Sequence, residues 1–101
     1  MKYKYQVYIS PRVQVEFDAE IVYSAKSWSK AHARRYAQEI QKIVQELRYN
    51  PYIYTLKPHL GANIRSVDYK GTRIVYRVQE EQKLVEILGF PSIHSFKTFE
   101  G

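Results

Sequence analysis

Residues 64–78 read IRSVDYKGTRIVYRV, and this stretch decides the fold. Lys70-Gly71 at its centre has the composition of a two-residue turn between strands. That predicts strands from Ile64 to Tyr69 and from Thr72 to Gln79. Tyr69 then faces Thr72, Asp68 faces Arg73, Ser66 faces Val75 and Ile64 faces Arg77. Opposed residues share a side of the sheet, so Val67, Ile74 and Tyr76 form a greasy surface. Arg73, Arg77, Asp68 and Ser66 gather on the other side as a compact, net basic patch. A one-residue slip would exchange the two sets. Two readings of the arginines stand. The exposed side of any sheet needs polar groups, and a guanidinium is also well suited to gripping phosphate or carboxylate.

Upstream, Tyr3, Tyr5, Val7 and Ile9 alternate with Lys4, Gln6 and Tyr8, which predicts a first strand. Ser10-Pro11 ends it and starts a helix, the serine as cap and the proline in the first turn. Phe17, Ile21, Ala25 and Trp28 recur at helical spacing, so the helix runs from about Pro11 to Lys26. Ser29 caps a second helix with an apolar stripe of Ala33, Tyr36, Ala37, Ile40, Ile43, Val44 and Leu47. Its outer face carries Lys30, Arg34, Arg35, Glu39, Lys42 and Glu46. Asn50-Pro51 closes it. The short turn between the helices predicts an antiparallel helical hairpin.

PYIYTLKPHLGAN, residues 51–63, holds two prolines and a glycine and reads as a connecting loop. Downstream of the central hairpin, a turn at Glu80-Glu81-Gln82 leads to a last strand from Lys83 to Leu88. The fold class is therefore α+β: one domain over residues 1–101, in the order strand, helix, helix, strand, strand, strand. The helical hairpin packs on one face of a small antiparallel sheet. The expected core is Val7, Phe17, Ile21, Trp28, Ile40, Val44, Leu47, Val67, Ile74, Tyr76 and Ile87.

The chain has 101 residues, which suits one domain with a real core. It contains no cysteine, excluding disulfides, thiol catalysis and cysteine-ligated zinc. MKYKYQVYIS alternates instead of offering the apolar run of a signal peptide, and no stretch is long and apolar enough to span a membrane. The expected location is the cytoplasm. A formal charge of +6 favours an anionic partner, whether nucleic acid, an acidic protein or a ribosome-like surface.

Catalytic constellations are sparse. His32, His59 and His94 are scattered, so no metal site is expected, and Gly61, Gly71 and Gly89 sit too far apart for a phosphate loop. No cofactor is implied. His94, beside Phe96 and Lys97, is the one imidazole near the end of the sheet. It is a candidate general acid or base next to the Arg73 patch, or else a plain surface histidine.

The element order resembles the RelE/ParE superfamily, the toxin halves of bacterial toxin–antitoxin pairs. The resemblance rests on YQVYISP at 5–11, FDAEI at 17–21, LRYNP at 47–51 and the hairpin at 64–78. Its most specific piece is Gly71-Thr72-Arg73-Ile74-Val75-Tyr76, a basic-then-apolar strand ending in tyrosine. It implies a growth-inhibiting toxin neutralised by an acidic antitoxin encoded alongside. In RNA-cleaving members, the arginine matching Arg73 faces a basic site that holds mRNA on the ribosome. These enzymes drive the 2′-hydroxyl onto the adjacent phosphate, which needs cations and a proton carrier.

The resemblance thus implies Arg73 and His94 as catalytic residues. Lys57, Lys70, Arg77, Lys97 and Phe96 are candidates for contacting RNA or another target. The chain departs from the pattern in two places. Some RNA-cleaving members carry lysines at positions matching Ile64 and Ser66, and the family often places an Arg or His where this chain reads Gly89-Phe90-Pro91-Ser92. The long helical hairpin resembles the ParE branch, whose members inhibit DNA gyrase without catalytic residues. Ribosome-dependent mRNA cleavage is the first expectation and gyrase inhibition the alternative, with a non-toxic protein- or RNA-binding module as a third.

Overall fold

The computed structural model describes residues 4–91. Its elements are β1 (Gln6–Ile9), α1 (Pro11–Ser27), α2 (Lys30–Glu46), β2 (Thr55–Leu56), β3 (Ile64–Tyr69), β4 (Thr72–Gln79) and β5 (Leu84–Gly89). Short 3₁₀ turns at Pro58–Leu60 and Glu80–Gln82 lead into β3 and β5. The helices pack on each other and on one face of a five-stranded sheet of order β1-β5-β4-β3-β2. The α+β class and the helical hairpin are as the sequence predicts.

Both helix starts follow from their caps. The Ser10 hydroxyl accepts a bond from the Val13 amide at 3.3 Å, with Pro11 in the first turn. Ser29 accepts from the His32 amide at 3.0 Å. In the central hairpin, Lys70 and Gly71 both have positive φ, 46° and 87°, as a type I′ turn requires. A Cβ on Gly71 would meet open space, so backbone conformation alone calls for glycine there. The β3–β4 pairing is the predicted one, from Tyr69 opposite Thr72 to Ile64 opposite Arg77.

Three features differ from expectation. The segment read as a loop contains β2, a two-residue edge strand pairing Thr55 with Ser66 and Leu56 with Arg65. A strand so short, close to Pro51 and Pro58, has no periodicity to read. The sheet is mixed: β1 lies parallel to β5, while the other pairings are antiparallel. Alternation of apolar residues is the same whichever way the neighbouring strand runs.

The third difference is Trp28, expected in the core and in fact 73% exposed. The chain leaves α1 at this residue (φ −122°, ψ −82°), so helical projection from Phe17 and Ile21 no longer applies. The other expected core positions hold. Phe17, Ile40, Val44, Leu47, Ile74, Tyr76 and Ile87 are buried, with Val7, Ile21 and Val67 packed against them. Each full burial contributes about 1.5–3 kcal/mol. Tyr76 carries its polar end inside by donating to the Pro51 carbonyl at 2.6 Å, which ties the end of the helical hairpin to β4.

Candidate functional site

The face of the sheet away from the helices carries Arg73 and Arg77, as the hairpin register requires. It is not the open basic patch expected. Between the arginines, Val75 is fully buried with Ile64 and Leu60, and Leu88 packs against them. The 3₁₀ turn brings Leu60 onto this face and makes a second small core. Ser66, opposite Val75, is buried too, and its hydroxyl has no hydrogen-bond partner among the described residues.

Each arginine meets a carboxylate on a different neighbouring strand. Arg73 Nε donates to Asp68 Oδ1 at 2.9 Å on β3. Arg77 Nη1 lies 3.9 Å from Glu86 Oε1 on β5, and its Nε contacts the Ala62 carbonyl at 3.4 Å. Glu86 also accepts a bond from Gln79 Nε2 at 2.9 Å. The Arg73 amide donates to the Pro91 carbonyl at 2.8 Å, so the exit of β5 runs beside Arg73.

Lys70 does not join the arginines. Its ammonium lies 3.7 Å from Glu39 on α2 and 5.4 Å from the centre of the Tyr69 ring. Glu39, expected on the outer face of α2, therefore points toward the hairpin turn. Lys57 sits at the β2 edge, where its amide donates to the Ile64 carbonyl at 2.7 Å. His94, Phe96 and Lys97 lie outside the described residues.

A cleft of about 470 Å³ opens at the opposite end of β3 and β4 and is lined by Tyr52, Arg65, Arg77, Glu80 and Glu81 among others. Its two arginines are matched by two glutamates, so it offers no net grip on a polyanion. Arg65 lies 5.0 Å over the Tyr52 ring and donates to the Tyr54 carbonyl at 2.8 Å. Beside it, Glu80 Oε1 accepts from Tyr5 (2.8 Å) and Tyr52 (2.6 Å), while Lys83 holds the other carboxylate oxygen. Bonds from Lys83, Tyr52 and Tyr5 pull the Glu80 pKa down to about 2. The bond to Glu80, with burial, pushes Tyr52 up to about 12. Sequence reasoning did not single out Arg65, although its register gave a signal. It shares a face with Val67 and Tyr69, where a guanidinium needs a partner of its own.

Among the described residues no helix is long and apolar enough to cross a membrane, and no three His, Asp or Glu side chains gather to hold a metal. A family model described as the ParE toxin of the type II toxin–antitoxin system parDE matches residues 7–92. The chromosomal ParDE toxin–antitoxin system of P. aeruginosa includes a similar structure. Its TM-score is 0.76 at 15% identity, covering 92% of this chain and 100% of that one. The RelBE2 toxin–antitoxin complex of Mycobacterium tuberculosis gives a TM-score of 0.62 at 18% identity, covering 88% and 98%. A mutant of the E. coli toxin RelE in the free state gives 0.52 at 12% identity, covering 90% and 85%. At these identities the likeness is one of fold. A comparison with curated proteins found no match.

Proposed function

Because the chain belongs to the ParE toxin family of type II toxin–antitoxin systems, we propose that it arrests growth by binding and inhibiting DNA gyrase, with no bond-breaking step of its own. The state of the two strand arginines carries this reading. To stabilise charge on a reacting phosphate, guanidinium groups must converge on one point. Arg73 and Arg77 are instead engaged by carboxylates on opposite neighbouring strands, with buried Val75 between them.

Two further positions support docking rather than cutting. Some RNA-cleaving members of the superfamily carry lysines at the positions matching Ile64 and Ser66, and here both residues are buried. A lysine at either place would have to displace packed apolar surface and bring its charge out of water. The face is thus built as a packed surface with paired charges at its margins.

The family membership also supports an antitoxin as the physiological partner. The net charge of +6 favours an acidic one, because opposite charge speeds encounter and fixes orientation. The similar ParDE and RelBE2 structures come from toxin–antitoxin systems, which supports an antitoxin partner.

One paired assay tests the mechanism: gyrase supercoiling beside mapping of mRNA cleavage in a translating extract. The expected result is lost supercoiling with intact mRNA. Cuts that need ribosomes, with supercoiling unaffected, would overturn the proposal and place Arg73 and His94 in a nuclease site.

A further inference from the structure

The tip of the helical hairpin and the β3–β4 turn enclose a hollow of about 220 Å³. Its walls include the rings of Tyr23, Trp28, His32 and Tyr36, together with Glu20 and Lys70. We propose that this hollow binds an arginine side chain presented by a partner protein. The inference does not depend on which cellular target the toxin inhibits.

The first support is the exposure of the aromatic rings. Trp28 is 73% and Tyr23 67% exposed, an arrangement that leaves large apolar surface in water next to a cavity. Tryptophan and tyrosine in such positions are the residue types that anchor interfaces. Trp28 is also held in place. Its amide donates to the Ser24 carbonyl at 2.9 Å, and its ring stacks on His32 with centroids 5.2 Å apart and planes at 26°. One indole face is backed by His32, and the ring's exposure leaves the remainder accessible. The floor is fixed by Tyr36, whose hydroxyl is hydrogen-bonded to Thr72 and whose ring stacks on Tyr69.

Charge selects the ligand. Lys70 on the rim is compensated by Glu39 and lies over Tyr69. Glu20, on the same wall, makes no hydrogen bond or ion pair among the described residues, so its carboxylate is open to a cationic partner. Burial raises the Tyr36 pKa, and the negative charge of Glu20 raises it further, which places that carboxylate within electrostatic reach of the floor. The result is an aromatic recess whose ammonium is already paired and whose carboxylate is not.

A cation stacked on indole and tyrosine rings beside a free carboxylate satisfies both features. Arginine fits better than lysine, because its planar group stacks on a ring while its N–H fork meets the carboxylate in two bonds. The volume equals roughly seven waters at about 30 Å³ each, enough for a guanidinium and the end of its stem.

Trp28 is the only tryptophan, so its fluorescence reads the site directly. The probe is the capped tripeptide Gly-Arg-Gly titrated into the folded protein, with the isosteric citrulline peptide as control. The expected result is a saturable change in Trp28 emission with the arginine peptide, and affinity about tenfold weaker for citrulline. Glu20→Gln and, independently, Tyr23→Ala each weaken the arginine peptide by a similar factor, and both replace accessible side chains. No saturable change, or equal affinity for citrulline, or unchanged affinity in both variants, overturns the proposal.

Discussion

Arg73 on β4 and Asp68 on β3 form a directly opposed pair, joined at 2.9 Å between Nε and Oδ1. The pairing exists only in the register set by the Lys70-Gly71 turn. A slip of one residue would carry Arg73 to the face that packs against the helices, where a guanidinium has no place. The ion pair and the turn therefore specify the same register by independent means. The pair lies at a margin, with Arg73 21% and Asp68 53% exposed, so water weakens its attraction.

The first prediction follows from that exposure. Arg73→Ala and Asp68→Ala each cost less than about 1 kcal/mol in stability, and each leaves growth arrest intact. Urea denaturation and induced expression of the two variants measure both effects. If folded Arg73→Ala no longer arrests growth while Asp68→Ala still does, Arg73 acts on a phosphate and the docking mechanism fails.

The core makes a sharper demand. Ile40 on α2 is fully buried among side chains from both helices and the sheet. Truncating it to alanine leaves a cavity and costs about 2–5 kcal/mol, a large part of the stability of a domain this size. The Ile40→Ala midpoint in urea is expected to fall accordingly. An unchanged midpoint would contradict the packing described.

These two residues mark what the sequence made legible. Ile40 belongs to a long apolar stripe with caps at its start, and Arg73 belongs to a hairpin whose turn residues set the register. Both signals are local, and both elements came out as read. Trp28 and Leu60 were opaque because their surroundings depend on where a turn sends the chain. Trp28 follows the helical spacing of Phe17 and Ile21 yet falls one residue past the helix. Leu60 sits in a stretch without periodicity and still closes a second core over Ile64 and Val75. That core is why the expected basic patch is narrower than alternation suggested. The two arginines were placed on the correct face, but their partners came from separate strands. Glu86 became visible as a partner of Arg77 only once β5 was aligned with β4.

Ser66 gives a prediction with the opposite sign to most core changes. Its hydroxyl is buried without a hydrogen-bond partner among the described residues. Removing a polar group that has lost water and gained nothing relieves a desolvation cost. Ser66→Ala is expected to hold stability or raise it by up to about 1 kcal/mol, read from the urea midpoint. A loss larger than that would mean that the hydroxyl has a partner after all.

The last prediction concerns pH and a single carboxylate. Glu80 closes the β4–β5 connection by accepting bonds from Tyr5, Tyr52 and Lys83. Its folded pKa of about 2 lies below the ordinary 4.5, so its contribution is fully present above pH 4.5 and is lost as pH falls toward 2. Tyr52 behaves in the opposite sense. Its folded pKa of about 12 lies above the ordinary 10.0, so the stability linked to its proton is present below pH 10 and is lost as pH rises toward 12. Both limbs centre on ionised Glu80: bonds from Lys83, Tyr52 and Tyr5 hold its own pKa down, and its charge attracts the Tyr52 proton and repels a tyrosinate. Glu80→Gln removes that charge, so melting temperature followed across pH should become flatter at the acidic and the alkaline end together. A variant that flattens only one limb, or neither, would show that Glu80 is not the shared origin.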